Sequence, residues 1–271
     1  MDRYAVIGHP ISHSLSPHIH ARFAQQSGEQ LAYEALEAPA DGFRTTLERF
    51  FSAGGRGANV TLPFKVEAFA LAHETTPRAR LAGAANFLAR EGGRIRADNT
   101  DGAGLVRDLA HNLALALEGA RVLLVGAGGA ARGVVAPLLE AGVARIVIAN
   151  RTPARAGDLA RQFAHLGEVR ACALDAIPES RYDLVVNATS TSTRGEPLEV
   201  PATLFGAGMV AYDMAYGEGA RAFVQRARAL GARACDGLGM LVEQAAESFE
   251  LWRGVRPLTA PVLAELRARF P

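Results

Sequence analysis

From residue 121 the chain reads Arg121-Val122-Leu123-Leu124-Val125-Gly126-Ala127-Gly128-Gly129-Ala130-Ala131. The first five residues are an apolar, β-prone run that stops abruptly at Gly126, and small helix-forming residues follow. A strand, a glycine turn and a helix in immediate succession are typical of an open, mostly parallel α/β sheet. This stretch therefore predicts an α/β fold, and the rest of the chain can be placed around it.

The glycines of this stretch match the spacing G-x-G-x-x-A, with an alanine in the third small position. Physically, Gly126 permits the tight turn, and Gly128 lets the backbone approach a pyrophosphate that lies on the helix N-terminus. We therefore predict that a dinucleotide binds at Gly126, Ala127, Gly128, Gly129 and Ala130.

Residues about twenty positions further on indicate which dinucleotide is bound. An NAD protein usually carries Asp or Glu there, for the ribose 2′-hydroxyl. This chain instead carries Arg151 and Arg155, which can bind a 2′-phosphate through charge-assisted hydrogen bonds. NADP is therefore favoured over NAD. The alternative is that both arginines are merely solvated charges at the start of a helix.

Strand-like runs recur beyond the glycine stretch, with helical or loop segments between them. They lie at residues 145–149, 169–174, 183–187 and 209–213. This alternation is a doubly wound, Rossmann-type pattern. A connecting helix is predicted before it at 105–117, so we place the domain boundary at about residue 101 and the NADP-binding domain at 102–238.

The N-terminal part also alternates between strands and helices, which predicts a parallel sheet covered by helices. Strands are predicted at 4–8, 31–37 and 57–61, and helices at 42–52 and 63–72 and at Ser16-Pro17, where the serine would be the N-cap. Segments 86–89 and 94–97 flank Gly92-Gly93 and predict a hairpin. The last helices, 239–252 and 260–270, are expected to return and pack on this part, giving a substrate-binding catalytic domain of 1–101 plus 239–271.

Lys65 is the only lysine among 29 Lys and Arg residues. A guanidinium stays protonated at any usable pH, whereas the pKa of an ammonium can be lowered until the group exchanges protons. Lys65 is therefore a candidate acid/base. The alternative is an ordinary surface lysine in an arginine-rich protein.

Three polar clusters each follow a predicted strand, and the carboxyl ends of strands are where open α/β sheets bind ligands. They are Ser14-Leu15-Ser16, then Asn59 with Thr61 and Lys65, then Asn86 with residues 98–102. Hydroxyls, amides, one lysine and one acid suit a polyhydroxylated anion, and Asp101 is the natural partner of Lys65. Each cluster alone is more often explained by turn chemistry.

Composition excludes several other classes of function. The 271-residue chain is 49% apolar with a net charge of +1, so it carries no electrostatic footprint for nucleic acid or an anionic membrane. Two isolated cysteines and the absence of an apolar signal core lead us to expect a cytoplasmic protein. Four histidines between residues 9 and 20 lack a completing ligand set, so no metal site is expected.

Taken together, the motifs resemble those of the shikimate dehydrogenase family. The matching stretches cover the chain from end to end in the family's order: residues 8–17, 59–65, 84–86, 98–102, 126–130, Asn150-Arg151-Thr152, Asn187-Ala188-Thr189-Ser190 and 236–245. The resemblance implies reversible reduction of 3-dehydroshikimate to shikimate with NADPH, in the biosynthesis of chorismate and aromatic amino acids.

The resemblance also implies roles for individual residues. Lys65 and Asp101 would be the catalytic pair. Substrate would be held by Ser14, Ser16, Thr61, Asn86, Asp101, Tyr216 and Gln244. Asn150 and Thr152 would join Arg151 and Arg155 at the cofactor, and Met214 and Gly237 would line the nicotinamide pocket. The partners would be small molecules, with the chain a monomer or homodimer.

Two alternatives remain open from sequence. One is a quinate/shikimate dehydrogenase of broader specificity, against which the paired serines and the two arginines count. The other is a non-catalytic module that senses NADP and a ligand, since fold does not fix function. Retention of both Lys65 and Asp101 counts against the second.

Overall fold

The computed structural model describes residues 1–269, apart from the side chain of Thr193. Twelve strands and ten α-helices follow one another in the described chain. The first part contains β1 (Asp2–Gly8), α1 (Ser16–Ser27), β2 (Leu31–Glu37), α2 (Phe43–Ser52), β3 (Gly55–Val60), α3 (Lys65–Ala70), β4 (Glu74–Thr75), α4 (Pro77–Ala82), β5 (Phe87–Glu91) and β6 (Arg94–Asp98).

The remaining elements are α5 (Asp101–Arg107), β7 (Arg121–Val125), α6 (Gly129–Glu140), β8 (Arg145–Asn150), α7 (Pro153–Phe163), β9 (Val169–Ala173), β10 (Leu184–Asn187), β11 (Val210–Asp213), α8 (Glu218–Ala229), β12 (Arg233–Cys235), α9 (Leu238–Arg253) and α10 (Thr259–Arg269). A π-helical turn, Asp108–Asn112, extends α5. The predicted end of the last helix, Phe270, lies outside the described residues, as does residue 271 of the predicted first domain.

The chain forms two compact units, each with one sheet. The first comprises Met1–Gly104 and Leu241–Arg269, and the second comprises Leu105–Met240. The strand order is β2-β1-β3-β5-β6-β4 in the first and β12-β11-β10-β7-β8-β9 in the second. The expected α/β fold class, with the C-terminal helices on the first part, is confirmed.

The second sheet is parallel throughout, as the doubly wound pattern predicts. The chain order reverses between β7 and β10, where Val125 pairs with Asn187. Ligands of open α/β sheets bind in the crevice outside such a reversal. The short strand β12, at one edge of the second sheet, was not predicted from sequence. Three residues are too few to show an alternation of apolar and polar side chains.

The first sheet differs from the prediction, because it is mixed and not purely parallel. Strands β1, β2 and β3 are parallel, but β5 runs antiparallel to β3. The predicted hairpin is confirmed as β5 and β6. It forces one of its two strands to oppose the parallel set, and β5 is the strand that pairs with β3. The two-residue strand β4 and the short helix α4 were also not predicted.

The connecting helix predicted at 105–117 begins earlier, at Asp101, and ends with the π-helical turn at Asn112. Two other helix starts differ in detail from the prediction. Ser16 is the first residue of α1 and not its N-cap, because Leu15 already has right-handed helical dihedrals. Helix α3 begins at Lys65 and not at Pro63, since Phe64 N donates to Thr61 O in a preceding turn.

An aromatic cluster packs the returning helix α9 onto the first sheet. Trp252 lies 4.6 Å from the Tyr4 ring and 5.0 Å from the Phe87 ring, between ring centroids. Its indole nitrogen donates to the Leu88 carbonyl at 3.1 Å. A Cβ at Gly57 would lie 2.3 Å from that nitrogen, so only glycine allows this approach. Helix α9 is thereby fixed against β3 and β5.

Candidate active site

Lys65 and Asp101 form a close, nearly buried ion pair in the first unit. Lys65 Nζ lies 2.6 Å from Asp101 Oδ2, and the two side chains are 13% and 6% exposed. The backbone of Lys65 is fixed because its carbonyl accepts a hydrogen bond from Ala85 N at 2.8 Å. Asp101 begins α5, and its N–H donates to Asn99 Oδ1 at 3.1 Å. Both charged groups are thus fixed at the start of a helix.

Asn86 joins this pair to the C-terminal helix α9. Its amide nitrogen lies 2.9 Å from Asp101 Oδ1 and 3.1 Å from Gln244 Oε1. Its amide oxygen accepts a hydrogen bond from Thr100 N at 2.7 Å. Asn86 is only 2% exposed, and a buried amide with its polar atoms satisfied is rigid. The structure therefore brings four predicted residues together: Lys65, Asn86, Asp101 and Gln244.

Ser14, Ser16 and Thr61 lie at the same edge of the first sheet. Strands β1 and β3 pair in parallel with Ile7 opposite Val60, so the segments that follow them leave from one edge. Ser14 Oγ accepts a hydrogen bond from Ser16 N at 3.3 Å, and Thr61 N donates to the Ile7 carbonyl at 2.9 Å. Among the described residues, no direct hydrogen bond joins these three residues to the Lys65–Asp101 pair.

Sequence reasoning did not assign roles to Thr100 and Ser248, which complete the network. Their hydroxyl oxygens lie 3.2 Å apart, and Thr100 Oγ1 lies 2.9 Å from the Asn86 amide nitrogen. Ser248 also accepts a hydrogen bond from Asn59 Nδ2 at 2.9 Å. Ser248 is four residues after Gln244 on one helix, and that spacing places both on the same face. The spacing from Gln244 is therefore the sequence signal that could have indicated a role for Ser248.

The glycine turn of the second unit has the backbone that a pyrophosphate requires. Gly126 has φ of +115°, and a Cβ there would lie 2.9 Å from the Ala188 carbonyl oxygen. By contrast, a Cβ at Gly128 would have no heavy atom within 4 Å, and no side chain caps α6 behind it. An open helix N-terminus preceded by a bare backbone accepts a phosphate group. The predicted residues 126–130 therefore fit a dinucleotide.

Arg151 and Arg155 lie beyond the adjacent strand. Strand β8 pairs in parallel with β7, so Asn150 leaves the sheet at the same edge as Gly126. Thr152 is the N-cap residue of α7, although its side chain makes no capping bond, and Asn150 Nδ2 donates to its carbonyl at 2.9 Å. Both arginines are exposed, and within the described residues neither guanidinium has an ion-pair partner. They are free to bind an anionic ligand.

Met214 and Gly237 are in direct contact in the second unit. Gly237 N donates to the Ala215 carbonyl at 2.8 Å, and a Cβ at Gly237 would lie 2.4 Å from the Met214 carbonyl oxygen. Asp213 Oδ1 accepts a hydrogen bond from Ala215 N at 2.9 Å, which fixes the segment that leads to Tyr216. Burial raises the pKa of Asp213, and hydrogen bonds from Ser192, Ala215 and Asn187 oppose this rise.

The described residues contain no group of three or more His, Cys, Asp and Glu side chains that could hold a metal ion. Within the same residues, no helix combines the length and the apolar character needed to cross a membrane. In the part of the chain that the structure describes, neither Cys172 nor Cys235 forms a disulfide.

Three family descriptions match successive parts of the chain. Residues 6–88 match the shikimate dehydrogenase substrate binding domain, residues 108–195 match shikimate / quinate 5-dehydrogenase, and residues 237–267 match the shikimate 5′-dehydrogenase C-terminal domain.

Curated relatives and solved structures agree with these matches. Shikimate dehydrogenase (NADP(+)) of Aromatoleum aromaticum is 58% identical, over 100% of this chain and 98% of its own length. The crystal structure of an Ael1 enzyme from Pseudomonas putida has a TM-score of 0.91 and 49% identity, over 98% of both chains. Shikimate 5-dehydrogenase from Thermus thermophilus, in complex with NADP(H) and shikimate, has a TM-score of 0.85 and 35% identity, over 99% of both chains.

Proposed function

The chain belongs to the shikimate dehydrogenase family, and on that premise we propose that Lys65 and Asp101 are its catalytic pair. The reaction is the reversible, NADPH-dependent reduction of 3-dehydroshikimate to shikimate, a step in the biosynthesis of chorismate and aromatic amino acids. The enzyme is thus an NADP-dependent oxidoreductase that acts on a CH–OH group. The 2.6 Å contact between Lys65 Nζ and Asp101 Oδ2 carries the proposal for the site.

Lys65 is the proton donor and acceptor in this proposal. During reduction, the Lys65 ammonium gives a proton to the oxygen of the ring ketone as negative charge develops on it. During oxidation, neutral Lys65 takes the proton of the substrate hydroxyl. Asp101 accepts a hydrogen bond from Lys65 Nζ throughout and so fixes its position. Bound NADPH supplies the hydride.

Substrate recognition is assigned to hydroxyl and amide groups. Ser14 and Ser16 follow β1, Thr61 follows β3, and Asn86, Asp101 and Gln244 form the hydrogen-bonded group described above. Tyr216 is proposed as a further substrate contact. Buried amides that are held by neighbours keep their geometry before substrate arrives, which lowers the cost of binding.

Cofactor binding is assigned to the second unit. The bare backbone of residues 126–130 takes the pyrophosphate, and Arg151 and Arg155 take the 2′-phosphate with Asn150 and Thr152 beside them. Met214 and Gly237 line the nicotinamide pocket. We accordingly assign residues 102–238 as the NADP-binding domain, and residues 1–101 with 239–271 as the substrate-binding catalytic domain.

The remaining proposals concern partners and location. The chain acts as a monomer or homodimer on small molecules, without nucleic acid, in the cytoplasm. The near-neutral net charge of +1 supports the absence of a nucleic-acid partner.

The deciding experiment is NADP reduction by the full chain with shikimate at alkaline pH. Rates with quinate in place of shikimate, and with NAD in place of NADP, form the comparison. The proposal expects turnover with shikimate and NADP to exceed both alternatives clearly. Comparable rates with quinate or NAD would indicate the broader enzyme, and binding without any turnover would indicate a sensing module.

A further inference from the structure

Arg78 lies on α4, outside the residues assigned above, and makes three hydrogen bonds to two carboxylates. Its Nε and Nη2 donate to Asp98 Oδ1 and Oδ2 at 2.7 and 2.8 Å. Its Nη1 donates to Glu247 Oε1 at 2.9 Å. Asp98 is 2% exposed, so its charge depends on this guanidinium for compensation. The bidentate contact with Asp98 leaves Nη1 of Arg78 to bind Glu247. A lysine cannot reproduce this geometry.

The first carboxylate leads by a short chain of hydrogen bonds to Asp101. Asp98 Oδ1 accepts from Asn99 N at 2.7 Å, and Asn99 Oδ1 accepts from Asp101 N at 3.1 Å. Asn99 is itself fixed because its amide donates to the Ala84 carbonyl at 3.0 Å. Arg78 therefore anchors the segment that carries the carboxylate partner of Lys65.

The second carboxylate, Glu247, lies on the helix that carries Gln244, the other partner of the Asn86 amide nitrogen. Glu247 lies on α9, three residues after Gln244 and one before Ser248. Residues three apart on a helix are neighbours, so a contact that joins Glu247 to another segment also sets where Gln244 lies relative to that segment. Asn86 requires Asp101 and Gln244 within 3.1 Å of the same amide nitrogen, and Arg78 connects the two segments that provide them.

We propose that Arg78 is a positioning residue that sets the spacing between Asp101 and Gln244, and with it the shape of the substrate site. This inference rests on the proposed function of that site. Arg78 acts through Asp98 and Glu247 and is not itself assigned a contact with substrate.

Arg256 provides a matched control. Its guanidinium contacts Glu247 Oε2 at 2.7 Å and Glu250 Oε2 at 2.9 Å, and its Nη2 lies 3.4 Å from Glu243 Oε2. All three carboxylates lie on α9, and none belongs to the Asp98–Asp101 segment. Arg256 therefore shares with Arg78 an ion pair with Glu247, but it does not link the two segments.

The test compares Arg78→Gln, Arg78→Lys and Arg256→Gln with the wild-type chain. Steady-state kinetics, shikimate binding by calorimetry and Tm are measured for each. We expect both Arg78 variants to lose kcat/KM for shikimate on the order of 10- to 100-fold, as misplaced site residues do, with KM for NADP unchanged. Arg256→Gln is expected to lower Tm but to keep kcat/KM.

Equal effects of Arg78→Gln and Arg256→Gln on shikimate kinetics and binding would overturn the inference, as would full activity of Arg78→Lys. The calorimetric comparison remains decisive if Arg78→Gln does not fold, because Arg78→Lys retains the charge. A wild-type chain that binds shikimate but does not turn it over would contradict the proposed function alone, since the binding differences between variants would still report on Arg78.

Discussion

Asp101 touches Lys65 with one carboxylate oxygen and Asn86 with the other. The distances are 2.6 Å to Lys65 Nζ and 2.9 Å to Asn86 Nδ2. One oxygen therefore holds the candidate acid/base, while the other ties it to the group that includes Gln244. In the proposed mechanism, proton transfer and substrate binding share this single carboxylate, and this relationship leads to the first prediction.

Replacement of Lys65 by alanine is expected to lower kcat far more than it raises KM. Proton transfer by a positioned side chain contributes roughly 10²–10⁴-fold to the rate, and its loss affects the transition state more than ground-state binding. The measurement is steady-state kinetics with shikimate and NADP.

Lys65→Arg is the control, because it keeps the positive charge next to Asp101 but does not release a proton. It should bind shikimate and remain slow. Near-normal kcat with a raised KM in Lys65→Ala would contradict proton transfer by Lys65, and would leave it as a cation that positions substrate.

Gly126 and Gly128 are expected to respond to substitution in opposite ways. Gly126→Ala places a Cβ against the Ala188 carbonyl at a φ of +115°. The strain should lower the free energy of unfolding by about 1–3 kcal/mol, and Tm should fall with it. Gly128→Asp introduces a favoured N-cap residue in open space, so stability should be kept or raised.

NADP binding should nevertheless be lost in Gly128→Asp, because the new carboxylate occupies the site of the pyrophosphate and repels its negative charge. Tm and NADP affinity by calorimetry separate the two effects. Unchanged NADP affinity in Gly128→Asp would show that the pyrophosphate does not bind at this helix end.

The double variant Arg151→Ala/Arg155→Ala is expected to raise KM for NADP and to leave kcat nearly unchanged. Charge-assisted hydrogen bonds contribute about 1.5–3 kcal/mol each, so a loss of one or both corresponds to a rise of at least about tenfold. KM for NAD, which lacks the 2′-phosphate, should not change.

Arg161→Ala is the matched control for this variant. Arg161 lies on the same helix α7 and pairs with Asp158 at an exposed position. It should leave both KM values unaltered. A parallel rise in KM for NADP and NAD in the double variant would argue against 2′-phosphate recognition.

His20 is expected to make the chain less stable as pH falls below neutrality. Its side chain is fully buried, and burial lowers its pKa from 6.5 to about 3, although the nearby Asn59 side chain opposes this. Between these values the unfolded state binds a proton that the folded state does not. The contribution of neutral His20 to the free energy of unfolding is therefore fully present above pH 6.5. It decreases on acidification by up to about 1.4 kcal/mol per pH unit.

His20→Phe should flatten this pH dependence, because it keeps the stacking on Tyr33 and removes the titrating group. Urea unfolding at pH 5 and pH 7.5 gives the comparison, with His165→Gln at an exposed position as control. If the free energy of unfolding differs between pH 5 and pH 7.5 by the same amount in wild type and His20→Phe, then His20 does not cause the loss of stability at low pH.

Much of the fold follows from local pattern. Strands β2 and β7 coincide with their predictions, and β1 and the β5–β6 hairpin differ from theirs by at most a few residues at the ends. Their apolar runs and glycine turns are properties of neighbouring residues. The mixed character of the first sheet was not predicted, because it depends on which hairpin strand pairs with β3.

In the candidate site, Lys65 could be chosen from residue type, as the only lysine, and Asp101 from its place in a polar cluster that follows a predicted strand. The contacts of Asn86 could not be predicted in this way, because its amide nitrogen bonds to Gln244, which lies 158 positions further along the chain. Arg78 gave no signal in the sequence, and Ser248 gave only its four-residue spacing from Gln244, since the roles of both depend on what the fold places beside them.

The sequence by itself determined the alternation of strands and helices, the glycine turn, the arginines beyond β8 and the identity of the single lysine, because each is encoded in the spacing of adjacent residues. Only the tertiary structure decided that Asp101 and Gln244 meet at one amide and that Arg78 connects their segments. Those contacts exist because α9 returns to the first sheet, and that return depends on packing between distant parts of the chain, which no local spacing encodes.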